Sequence, residues 1–292
     1  MIILFRNSTD FWVPSYIFND DSYIALWNLP YFLLISVGMF TCSWLTFYMT
    51  VVMCEVRKFH TNTTYLLVCL YASWFENLVG TLLILPYKYG LINLAPQGRV
   101  FEGFEDTENY LEIDEVTWKA VPLIIGTLLV WHYLGMINSA FGYFFVERTL
   151  ATVFFSDYES VPRKPLLVLL VFLQQSSALF TALMMCFHVF PLKMLLAFNA
   201  TGIVSSVPYL IFLRYYNIRA RNRMRLARNI TKNTLAAKFQ TEENVRSISL
   251  ASRIITVMIF FDVVFLIITV SATLEVPGTR YYFQGTEHLL FL

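Results

Sequence analysis

Six long apolar runs constrain this chain more than any other feature. They span roughly residues 27–54, 64–86, 122–145, 165–187, 192–213 and 254–274. A helix needs about 20 apolar residues to cross ~30 Å of hydrocarbon, and each run is that long. None shows the period-two alternation of a barrel strand, and each is about twice a barrel strand's length. In lipid an unpaired backbone amide finds no water, so a continuous apolar run can cross only as a helix. The first run is overlong, which fits a tilted helix or an extra turn outside the bilayer.

Composition excludes the alternatives. Hydrophobic residues make up 57% of the 292 and charged residues 14%, against roughly 45–50% and 25% in soluble domains. A soluble globule of this size has too little interior for that much apolar side chain. This argues against an ordinary cytosolic enzyme, a disordered chain and a secreted disulfide scaffold. Cys42, Cys54, Cys69 and Cys186 all fall in or beside apolar runs, without CxxC or metal-ligand spacing, and read as small packing residues. No cofactor or metal is expected. No GxSxG or HExxH occurs, and the titratable residues are scattered over separate runs, so no catalytic residues are assigned.

Basic residues set the expected orientation. Arg6, Lys88, Arg99, Lys119, Lys193 and Arg280 fall on one side of the runs, and the remaining 15 of the 21 Lys and Arg on the other. The positive-inside rule then puts the amino terminus outside and the arginine-rich connection 214–253 in the cytoplasm. Residues 1–26 become an extracellular segment, residues 27–274 the helical bundle, and residues 275–292 an extracellular tail or the start of a truncated seventh helix. The sequon Asn7-Ser8-Thr9 falls outside as a glycan site. The architecture expected is an all-α integral membrane bundle in the plasma membrane, with six transmembrane helices visible and a seventh missing or cut short.

The connection 214–253 begins with Arg219, Arg221, Arg223, Arg225 and Arg228, spaced to surround a helix. Adhesion to anionic lipid is its simplest role, at ~1 kcal/mol per basic residue near the surface. A protein partner could use the same residues. Nucleic acid is not expected, because the segment is short, tied to the bilayer and lacks interleaved aromatics.

Ionisable residues at mid-depth are costly and call for a reason. Glu76, His132 and Asp262 all fall near the centres of their runs, and a pairing of His132 with Glu76 or Asp262 is expected. The plain reading is that each is satisfied separately. The sharper one is a polar network under a ligand cavity, with Ile124, Leu128, Trp131 and His132 as its third-helix wall. Asn199 lies somewhat nearer the outer face, and Trp131 could equally face lipid or a neighbour. Pro208 can kink the fifth run and free a carbonyl.

Two strings carry a resemblance. Glu147-Arg148-Thr149-Leu150-Ala151-Thr152 closes the third run and is followed by Asp157-Tyr158-Glu159; Lys238-Phe239-Gln240-Thr241-Glu242-Glu243-Asn244 precedes the sixth. The ERxxAT…DYE and KFQxEEN patterns resemble the epsilon class (Sre) of nematode serpentine chemoreceptors, seven-helix G-protein-coupled receptors. The resemblance covers about residues 27–274. It implies a chemosensory receptor for a small external molecule, coupled to a heterotrimeric G protein and placed in sensory-neuron cilia. It also implies that Glu147, Arg148, Asp157, Tyr158, Glu159, Arg221, Arg225, Gln240, Glu243 and Asn244 face the transducer or control activation. Read from the residues alone, Glu147 and Arg148 are either interfacial anchors, the arginine reaching for headgroups, or a charge latch holding the third helix to a neighbour. The competing functions are a six-span transporter or channel, against which no repeated halves are seen, and a truncated relative that does not signal.

Overall fold

A computed structural model of the chain describes residues 2–5, 9–15, 17–21, 26–56, 61–94, 100–102, 110–113, 117–153 and 164–226, with isolated positions between 242 and 260. Among these residues stand long helices α1 (Leu29–Val56), α2 (Thr61–Lys88), α3 (Val121–Val153), α4 (Lys164–Cys186) and α5 (Leu192–Leu226). Four segments are long and apolar enough to cross a membrane: Phe32–Glu55, Asn62–Lys88, Val121–Val153 and Lys164–Cys186. Of the expected sixth span, 254–274, only Phe260 is among the described residues.

Hydroxyl side chains survive in these apolar helices because they bond their own backbone. Thr41 donates to the Val37 carbonyl at 2.7 Å and Ser43 to Met39 at 2.8 Å. Ser139 and Thr181 do the same to Gly135 and Ser177. Such back-bonding spares these hydroxyls from standing bare in an apolar medium.

α3 is the central helix, packed on α2, α4 and, toward its carboxyl end, α5; α1 leans on α2. Glycine permits the closest approaches. A Cβ on Gly80 of α2 would lie 2.7 Å from the Gly126 carbonyl oxygen of α3, and one on Gly126 would lie 2.8 Å from that of Gly80. A Cβ on Gly135 would meet the Ala178 carbonyl oxygen of α4 at 2.8 Å. With lipid as apolar as leucine, such small-residue contacts drive helix association through packing. α1 buries almost nothing, and Leu34, Phe40, Trp44 and Phe47 stand exposed along it.

Two details depart from the sequence reading. α5 runs unbroken past residue 213 to Leu226, so Arg219, Arg221 and Arg225, whose spacing already suggested a helix in the connection, continue the fifth helix itself. Arginine is a good helix former and no Gly or Pro follows Pro208 within α5, so nothing local ends the helix. The second departure is at the other end of the chain. The amino-terminal residues form strands: β1 (Ile2–Phe5) pairs antiparallel with β2 (Thr9–Trp12), in the register Ile2↔Trp12. β3 (Ile17–Phe18) pairs with β4 (Phe101–Glu102), and β5 (Leu111–Ile113) adds parallel to β1.

These strands cap one end of the bundle and are joined to it by backbone bonds. The amides of Asn19 and Asp20 donate to the Tyr87 and Lys88 carbonyls at 3.1 and 3.0 Å. Those carbonyls lie in the last turn of α2, where no intrahelical donor remains. Under the cap lies the main core, in which Ile3, Phe11, Trp12 and Phe18 meet Ile84 and Tyr87 of α2, Leu123 and Trp131 of α3, and Met185 of α4. Strand alternation puts Leu111 and Ile113 into the same core and leaves Glu112 exposed.

Candidate functional site

Three sites lie along α3, at its capped end, at mid-length and at its far end. The distance from Trp131 to Arg148 is 17 residues, about 26 Å of helix.

At the far end Glu147 and Arg148 are both 0% exposed. Neighbouring residues on a helix do not face each other, so the long arginine side chain has to fold back to reach the glutamate. Arg148 Nε donates to Glu147 Oε2, and Nη2 donates to Oε1 at 2.7 Å. Thr63, in the first turn of α2, closes the group. Its hydroxyl accepts from Arg148 Nη2 and donates to Glu147 Oε2 at 3.0 Å. A buried ion pair is tolerable only when its remaining donors and acceptors are met in this way. Arg148 is therefore not reaching for headgroups.

The same turns of α3 hold α5. Thr149 and Tyr209 share a short hydroxyl contact, and the Phe145 and Tyr209 rings meet edge to face at 5.4 Å. Asn217 Nδ2 donates to its own helix at the Leu213 carbonyl, 2.9 Å, and to Thr152 Oγ1 at 3.3 Å. Phe145, Leu210, Leu213 and Ile248 form a second core, which brings Ile248 against α3 and α5. Pro208 lies within α5, one residue before Tyr209. Having no amide hydrogen, it leaves the carbonyl one turn earlier without its helical donor.

At mid-length His132 Nδ1 lies 2.6 Å from Glu76 Oε2, joining α3 to α2. The histidine is 14% exposed and the glutamate 40%. One proton lies between the two atoms, and which donates depends on the tautomer. Beside them in sequence, Trp74 Nε1 donates to Ser43 of α1 at 3.2 Å and its ring meets Tyr133 edge to face. Gln174 is buried on α4, its Oε1 without a partner among the described residues.

At the capped end Trp131 does not face lipid. Its Nε1 donates to the Trp12 carbonyl at 3.0 Å, and the two indoles lie 4.7 Å apart, inclined at 44°. Ile124 and Leu128 pack against the same core. Ile124, Leu128 and Trp131 thus share one core, and Trp12 of the chain's own amino-terminal segment lies against Trp131 there. His132, next in sequence, turns away to Glu76.

The remaining sequence-expected residues are placed as follows. Arg221, Arg225 and Asn199 lie in α5. Asn7, Asp157, Tyr158, Glu159, Gln240, Glu243, Asn244 and Asp262 lie outside the described residues. Among the described residues no three His, Cys, Asp or Glu side chains cluster as metal ligands would. The sequence reading missed Thr63, Tyr209, Asn217 and Trp12. Thr149 and Thr152 carried a signal, since they repeat at i, i+3 on one face beside a charged pair. Nothing local in the sequence pairs Trp12 with Trp131.

A family model described as Sre G protein-coupled chemoreceptor matches residues 1–292. Several Caenorhabditis elegans proteins are similar over most of the chain. Serpentine receptor class epsilon-38 is 27% identical, over 87% of this chain and 70% of its own length. Serpentine receptor class epsilon-31 is 28% identical over 97% and 79%, and epsilon-37 is 27% identical over 92% and 76%. No solved structure matches. With apolar helices of membrane length built around α3 and a family match over its full extent, the chain is a multi-pass membrane protein and belongs to the Sre family of G protein-coupled chemoreceptors.

Proposed function

We propose that this chain is a plasma-membrane chemosensory receptor with its amino terminus outside. It binds a small external molecule at the capped end of the bundle and signals through the far end to a heterotrimeric G protein. The observation that carries this reading is the sealed Glu147–Arg148–Thr63 group, set in the same two turns of α3 that hold Tyr209 and Asn217 of α5. A shift of α3 against α2 has to break or exchange the Thr63 bonds, and a shift against α5 those of Tyr209 and Asn217, so these contacts define one state of the far end. A ligand shifts the balance only as far as it binds the other state more tightly, and a G protein preferring that state reinforces it.

The orientation has independent support in the excess of Lys and Arg on one side. The arginines of α5 then extend that helix into the cytoplasm, where anionic lipid and an intracellular partner both have access to them. His132 and Glu76 lie between the two ends and tie α2 to α3 at mid-depth.

The test is a G-protein dissociation assay in cells expressing the intact chain, across a panel of small volatile and water-soluble molecules, with Arg148→Ala beside it. A response in the intact chain that is lost or becomes ligand-independent in Arg148→Ala, at equal surface level, supports the reading. A response unchanged by the substitution removes the far-end group from signalling. Antibody access to a tag at residue 1 on unpermeabilised cells checks orientation, and labelling only after permeabilisation would invert it.

A further inference from the structure

We infer that the place now occupied by Trp12 is the ligand's binding site, and that the ligand is a planar aromatic molecule of about indole size carrying a hydrogen-bond acceptor. The inference deepens the chemosensory reading above and rests on it for its biological role.

Trp12 behaves as a ligand held on a tether. It is fully buried between α3 and the end of α4, yet it belongs to the edge of a short hairpin and not to any helix of the bundle. Its backbone carbonyl serves a polar group of α3, Trp131 Nε1, at 3.0 Å. Its ring lies 4.7 Å from that of Trp131 and meets the His188 ring edge-on at 5.6 Å.

The fit is incomplete. Trp12 Nε1 is buried with no hydrogen-bond partner among the described residues, and the buried Nε2 of His188 has none either. A buried indole N–H without an acceptor is a cost that Trp12 sheds when it leaves for water. A free molecule that supplied an acceptor to Trp131 and a polar group to His188 would use both and suffer neither loss.

The bundle holds His188 in place at some expense. It has φ 51°, a left-handed conformation that favours glycine. It closes α4 with two bonds, from its own amide to the Met185 carbonyl at 3.0 Å and from the Val189 amide to Met184 at 2.9 Å. That is the arrangement in which glycine ordinarily stands. Here a histidine takes the position, and its ring meets Trp12.

The native Cys186 reports on the site, because it is buried in the same core. In membranes from cells carrying Cys42→Ser, Cys54→Ser and Cys69→Ser, the rate at which a small methanethiosulfonate reagent modifies Cys186 is measured from outside. Trp12→Ala is expected to raise that rate, and indole-3-acetamide to lower it again. Cyclohexylacetamide, which has the amide without the flat ring, is expected to protect at least roughly tenfold less well. Indole-3-acetamide should also bind Trp12→Ala at least about tenfold more tightly than the parent, which must first expel its own tryptophan.

A second reporter, Val13→Cys with Cys186→Ala added, starts buried and should be modified faster when indole-3-acetamide is present and Trp12 is intact. Trp12→Phe, which keeps a ring in place, guards against a folding defect by giving a rate between the parent and Trp12→Ala. The inference is overturned by an unchanged Cys186 rate in Trp12→Ala, by equal protection from the two amides, or by a Val13→Cys rate that ignores the probe. No readout here involves a G protein, so success with no cellular response would refute the transduction reading alone.

Discussion

Removing the acid of the far-end group gives the largest effect expected anywhere in the described helices. In Glu147→Gln the shape stays and the charge goes, so Arg148, 0% exposed, keeps its positive charge with a neutral acceptor in place of a carboxylate. Breaking a buried pair by losing one partner costs about 3–5 kcal/mol. An ordinary side-chain bond between membrane helices averages only ~0.6 kcal/mol and rarely exceeds ~1.7, since the unfolded chain in lipid finds other partners. The charge decides which range applies. An arginine able to extend to headgroups would fall in the lower range, but here its guanidinium lies against Glu147 and Thr63, away from solvent. The assay is thermal unfolding of the purified protein in nanodiscs. At about 2–4 °C per kcal/mol, the higher range is a Tm loss of roughly 6–20 °C. Glu147→Leu with Arg148→Met removes both charges and should recover most of that loss, because an apolar pair of similar volume is often neutral or stabilising. A loss under ~2 °C, or a double variant no better than the single one, would refute the reasoning.

Other substitutions probe the rest of the frame. Gly126→Val puts a branched side chain where even a Cβ would lie 2.8 Å from the Gly80 carbonyl oxygen, so α2 and α3 must part, at a cost of about 1–3 kcal/mol read as a lower Tm. Tyr209→Phe keeps the ring against Phe145 and removes only the hydroxyl shared with Thr149, costing about 1 kcal/mol, while Tyr209→Ala should cost clearly more. Glu76→Gln, His132→Leu and the double variant form a thermal-unfolding cycle, in which the 2.6 Å contact predicts a coupling of roughly 0.5–3 kcal/mol and a value near zero would separate the two residues.

Much of the frame was legible from the chain because lipid imposes a simple rule. α2 (Thr61–Lys88) and α4 (Lys164–Cys186) follow the apolar runs 64–86 and 165–187 to within a few residues. The end of α5 was harder to read, because arginines end an apolar run without ending a helix. His132 and Glu76 drew notice as isolated polar residues at similar depth, and the fold brings them to 2.6 Å. Glu147 and Arg148 drew notice as adjacent charges, but adjacency does not distinguish an arginine extended to headgroups from one folded back onto its neighbour. Thr63 makes that difference, and it lies 84 residues from Glu147.

The amino-acid order by itself determined that the chain crosses lipid as helices, roughly where each crossing runs, and which family its motifs match. Those properties are local or additive: an apolar run, a count of arginines and a short string each carry their meaning without knowledge of neighbours. Only the tertiary structure decided that Trp12 fills the mouth of the bundle against Trp131, and that Thr63 seals a buried ion pair. Both depend on residues far apart in the chain meeting at one place, and the energy that selects such meetings appears only once the helices have packed.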